Sequence, residues 1–136
     1  MALVILNNLT ISGSTTFAGT DGWTCANLIC TVTPPVTITL QDSVVYTTTT
    51  SAQLTSGTNA SRITMQSSSA TVRAIWTLQN GATQTLTYVN GTRIDSSGGQ
   101  MVYTFGGTIS TTPPGAETLN WSLLVAPGTV AYTFVN

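Results

Sequence analysis

The chain has 136 residues, 41% of them hydrophobic and only 5% charged, with three basic residues, four acidic ones, no histidine and a formal net charge of −1. That length suits one domain with its own core, and the charge is too sparse for the clustered cations that hold nucleic acid or an anionic membrane surface. All three basic residues are arginines, so a Ser-His-Asp triad, a Cys-His pair, a lysine Schiff base and a histidine-ligated metal are excluded within the chain.

Threonine (29) and serine (13) make up roughly a third of the sequence. Threonine's β-branch suits a pleated surface, and with few Ala, one Glu and no Lys there is little from which to build a helix. The composition therefore predicts an all-β chain. Its hydrophobic content argues for a packed core rather than disorder. A surface so poor in charge lacks the repulsion that keeps exposed strands apart, which points either to coverage by copies or partners or to hydroxyl-rich faces that are simply well hydrated.

In chain order, the opening Met1-Ala-Leu-Val-Ile-Leu6 is apolar but stops at Asn7-Asn8 and has no basic residue before it. It is too short for a signal-peptide core or a bilayer span. Residues 1–33 read as an N-terminal arm or cap, or as an ordinary N-terminal strand and loop, with a loop over Thr15–Trp23 that carries Phe17 and Trp23. Residues 34–136 read as the β-domain with a C-terminal strand. Cys25 and Cys30 cannot complete a four-ligand zinc site without histidine. A small-loop disulfide or two buried thiols remain, and a reducing compartment favours the thiols.

Alternation at strand period marks Val36, Ile38 and Leu40, then Ile63 and Met65, then Leu86 and Tyr88. From Ile38 to Ile63 is 25 residues and from Ile63 to Leu86 is 23. A recurrence in the low twenties predicts coils that each lay a short strand on the one before: a short parallel β-helix, or β-solenoid, of three to four rungs with terminal capping strands. Second runs over Ser43–Thr47, Val72–Leu78 and Arg93-Ile94 lie between these strands. Gln79-Asn80-Gly81 and Asn90-Gly91 supply turns after Leu78 and Val89. Asn-Gly is also a hairpin signal, so an antiparallel β-sandwich or jelly roll stays open.

The closing strands read as Met101–Phe105, Thr118–Leu124 and Val130–Phe134, with Pro113-Pro114 excluding a central paired strand between the first two. The tail from Ala126 to Asn136 is a candidate to cover the last unpaired edge. Asp21, Asp42 and Asp95 each stand at a turn, where an Asx carboxylate caps backbone N–H groups. A carboxylate pair at the roughly 5–10 Å spacing used in glycoside hydrolysis could only come from these three and Glu117. Trp23 and Trp76 lead the aromatics, with Tyr88, Tyr103, Phe105 and Trp121, as candidate partner or glycan contacts, set against ordinary core packing.

The stretch from about Pro34 to Leu124 resembles β-helix-type repeat segments of phage and other viral surface proteins. The resemblance is carried by Ala60–Ser69, Gly81–Asn90, Ile94-Asp-Ser-Ser-Gly-Gly99 and the closing Asn120-Trp121. It implies a virion component, either a capsid decoration or cement protein or a receptor- or glycan-binding fibre or spike module. The related segments usually sit in much longer chains. The resemblance brings no catalytic residue and no cofactor. It implies a capsid or other virion protein as partner, a homo-oligomer such as a trimer and location in the virion, while the sparse charge argues against nucleic acid or membrane as a target.

Overall fold

A computed structural model describes residues 4–124. Twelve strands account for its regular structure and no helix occurs among the described residues. They are β1 (Val4–Thr10), β2 (Thr15–Phe17), β3 (Trp23–Cys30), β4 (Val36–Leu40), β5 (Val45–Leu54), β6 (Ile63–Ser67), β7 (Ala74–Leu78), β8 (Thr83–Leu86), β9 (Val89–Thr92), β10 (Ile94-Asp95), β11 (Val102–Phe105) and β12 (Trp121–Leu124). The first sheet runs β1-β3-β5-β7-β10 with β8 also on β5, the second runs β2-β4-β6-β9, and the third pairs β11 with β12.

Every pair between named strands is parallel. Parallel neighbours cannot be joined by tight hairpins, and in the two larger sheets the chain passes through the other sheet between any two paired strands. Thr24 pairs with Thr47, 23 residues on, and Ile63 pairs with Val89, 26 residues on. Residues 1–33 contribute β1, β2 and β3 to the two larger sheets, so Phe17 and Trp23 lie on strands rather than in a loop.

The alternation read from sequence maps onto burial. In β4, β6 and β7 residues alternate buried and half-buried, with Val36, Ile38, Leu40, Ile63, Met65, Ala74, Trp76 and Leu78 turned inward. In-register neighbours share a face, so the inward residues form continuous columns such as Cys30, Leu54 and Leu86. These columns are the core.

Two expectations need correction. Leu86 and Tyr88 do not belong to one strand. Leu86 ends β8 and pairs with Leu54, whereas Tyr88 has φ +52° and hands the chain to β9 in the second sheet. Val89, not Leu86, therefore continues the column of Val36 and Ile63. Asn90-Gly91 makes no hairpin, because both residues lie inside β9. Gly91 is there for space: a Cβ on it would stand 2.8 Å from the Trp121 ring. Asn80-Gly81 is a turn as expected, with Gly81 at φ +88° and Ala82 N–H donating to the Gln79 carbonyl at 3.0 Å. The strand expected over Val130–Phe134 and the tail from Ala126 lie outside the described residues.

Candidate functional site

The two indoles singled out as contacts lie in the core. Trp76 is 0% exposed and Trp23 5%, so neither presents a ring face to a sugar or a partner from this surface. Trp76 stacks edge-on against Trp121 at 5.9 Å, and Trp23 packs between Phe17 and Tyr46. The physical reason is the hydroxyl content of the interior. Trp76 Nε1–H donates to Thr48 Oγ1 at 3.1 Å, and Trp121 Nε1–H donates to Ser96 Oγ at 3.0 Å, so both rings bury without losing a hydrogen bond. Trp23 Nε1 has no acceptor among the described residues.

Cys25 and Cys30 are both free, buried and on β3. Five residues along a strand span roughly 16 Å, far beyond the Cα separation of about 7 Å that a disulfide tolerates. Burial pushes both thiols up from their ordinary pKa, opposed more weakly by the Thr48 hydroxyl at Cys25 and by the Val32 backbone and Ser56 hydroxyl at Cys30. Protonated thiols are poor nucleophiles and poor metal ligands.

The carboxylates divide by partner. Asp95 Oδ1 accepts from Ser97 N–H at 2.9 Å and from the Ser97 hydroxyl, the turn arrangement its position suggested. Asp42 instead reaches sideways, accepting from Ser68 Oγ at 2.8 Å and Gln41 Nε2 at 2.7 Å while its own N–H donates to Ser68 Oγ. Asp21 takes no part in the side-chain hydrogen bonds of the described residues. Glu117 is held below the usual carboxylate range by the backbone N–H groups of Glu117 and Gly115 and then by Arg73, whose guanidinium lies 2.6 Å from Oε2. Asp42 also borders a shallow open hollow with Gly19, Thr20, Gln41, Ser43 and Val44, in which it is the only titratable group.

Each arginine is committed to a main-chain carbonyl far along the chain: Arg62 to Gly106, Arg73 to Glu117 and Arg93 to Ser69. Arg62 also lies over the Tyr88 ring at 5.8 Å. The few cations thus tie loops down, a use that a guanidinium's rigid fork of donors suits.

What the surface does offer is ordered polar columns and uncovered ends. Asn8, Asn27 and Ser51 stand in register, Asn27 Nδ2 donating to Asn8 Oδ1 at 2.8 Å and Ser51 Oγ to Asn27 Oδ1 at 2.7 Å. On the second sheet Thr16, Thr39, Gln66 and Thr92 align in the same way. At the ends, Val4 is in register with buried Trp23, and Leu123 with buried Thr104, so both occupy inward-facing positions. They are nevertheless 48% and 53% exposed. Beside them Ile5 is 74% exposed and Leu124 49%. Among the described residues, strands β1 and β12 each pair on one side only, and neither carries a charged residue. Of these end residues, the sequence marks Val4 and Ile5 as part of an apolar run before Asn7, and Leu123 and Leu124 only as part of a closing strand.

The features described so far define an all-β protein of parallel strands. No family model, no curated protein and no solved structure matches this chain.

Proposed function

We propose that this chain is a phage virion structural protein, a capsid decoration or cement protein that acts by non-covalent packing on the particle and catalyses nothing. In this reading the parallel strands are successive coils of a short β-helix, each strand of the path β1-β3-β5-β7-β10 opening a new coil. The observation that carries it is the pair of open ends. Inward-register Val4 and Leu123 are half-exposed on strands whose outer backbone edge has no partner among the described residues and no charge to discourage pairing.

Such ends favour a surface that is completed by contact with a shell protein, in an oligomer or singly. Binding to the assembled shell and not to its loosened state stabilises the shell by linkage. The glycan-binding fibre reading draws no support from Trp23 or Trp76, whose rings are buried. Recombinant protein added to undecorated particles is expected to co-sediment with them and raise the temperature at which they open. Absence of binding, with an unchanged opening temperature, overturns the proposal.

A further inference from the structure

The chain holds two Asn-Gly pairs in opposite environments, and the contrast assigns a modification site that is independent of the particle reading. Asn80 and Gly81 are the exposed central residues of the turn between β7 and β8, closed by Ala82 N–H on the Gln79 carbonyl. Gly81 at φ +88° has open space around its Cα, and neither the Asn80 side chain nor the Gly81 N–H takes part in the hydrogen bonds of the described residues. At the other pair, Gly91 N–H donates to the Thr108 carbonyl at 2.8 Å, and Asn90 Oδ1 accepts from Thr108 N–H at 3.0 Å. There the backbone is also held in register with Thr64 and Met65, and Trp121 covers Gly91.

We propose that Asn80 is a site of spontaneous deamidation and that Asn90 is protected by the fold. The Gly81 backbone nitrogen attacks the Asn80 Cγ carbonyl, so that an N–Cγ bond forms and the Cγ–Nδ2 bond breaks. Ammonia leaves carrying the proton lost from the Gly81 nitrogen, and a five-membered succinimide remains. Water then adds to one of its two carbonyls and opens the ring to aspartate or isoaspartate, with no oxidant or reductant involved. Ring closure needs the Asn side chain and the following amide free to turn toward each other. A following glycine, lacking Cβ, obstructs that least. In β9 the same movement would first have to break ladder hydrogen bonds, so reaction there waits on local opening. Each aspartate or isoaspartate formed at Asn80 adds one negative charge to a chain whose formal net charge is −1.

The test is to incubate the folded protein in mildly alkaline buffer and locate amide-to-acid mass gains by fragmentation mass spectrometry, with the denaturant-unfolded chain in parallel. Conversion at Asn80 is expected to outrun that at Asn90 by more than about tenfold in the folded protein, because β9 must open before Asn90 can react. The two should converge in the unfolded chain. Similar rates at both sites in the folded protein overturn the assignment, as does an Asn80 that stays an amide when folded yet converts when unfolded. An Asn80→Gln variant, which leaves the turn's Gly81 in place, is expected to lose the fast reaction.

Discussion

At the residue scale, Cys25 and Cys30 show how little the interior distinguishes a thiol from a small apolar side chain. Both are fully buried, and Cys25 Sγ lies 3.7 Å from the hydroxyl that also receives the Trp76 indole proton. Because burial raises both thiols and the Tyr46 phenol, the folded chain keeps protons that the unfolded chain releases. Between the unfolded and the folded pKa the unfolded state binds fewer protons, so stability falls as pH rises. The loss begins near the ordinary thiol pKa of about 8.5. Urea midpoints measured from pH 7 upward are expected to hold at first and then decline beyond that point. A disulfide-exchange reagent should find both thiols only in the unfolded chain. A midpoint that stays flat through the alkaline range, or rapid labelling of the folded protein, would contradict this account.

At the element scale, the fold was legible where one face of a strand is apolar and the other hydroxylated, as in Val36–Leu40 with Thr37 and Thr39 outward. It was not legible where threonine and serine stand on both faces: buried Thr48 and Ser67 have the same side-chain chemistry as half-exposed Thr47 and Thr49. That is also why Trp23 and Trp76 could be read as surface contacts, since period alone does not say which face meets the core. Corners were missed for a second reason. Ser43, Tyr88 and Arg93 take positive φ without being Gly or Asn, and the surrounding sheets impose that conformation. The buried hydroxyls have a further role there. Thr104 Oγ1 donates to the Val89 carbonyl at 2.8 Å and accepts from Val89 N–H at 3.2 Å, satisfying both backbone groups just past the Tyr88 corner. Thr104→Val keeps the shape and removes both bonds, stranding buried polar groups at a cost of about 1–3 kcal/mol. Chemical denaturation should register that loss, and a Thr104→Ser control, which keeps the hydroxyl, should recover part of it. A Thr104→Val variant as stable as the parent would show that water or a neighbour replaces the hydroxyl.

For the whole molecule, the distribution of charge separates fold from contact. All three arginines are spent on internal carbonyls and Asp95, Asp42 and Glu117 on partners within the chain, while strands β1 and β12, each with an edge unpaired among the described residues, carry only apolar, amide and hydroxyl side chains. An edge strand meant to stay solvated usually carries a lysine, a proline or a bulge that discourages pairing. Strand β1, Val-Ile-Leu-Asn-Asn-Leu-Thr, carries neither of those residues. If this edge meets the particle, a single charge placed on it should abolish binding while hardly touching the fold. Ile5→Lys meets that condition, because Ile5 is 74% exposed and a surface change of this kind shifts stability by no more than about 0.5 kcal/mol. Val45→Lys is the matched control. Val45 is 50% exposed but lies on β5, which has neighbours on both sides, so its variant alters the sheet face and leaves the edge intact. Co-sedimentation with particles is expected to fail for Ile5→Lys and persist for Val45→Lys, both variants keeping the parent's denaturation midpoint. Loss of binding in the Val45 variant alone would move the contact from the edge to the sheet face. Undiminished binding by Ile5→Lys would remove β1 from the interface.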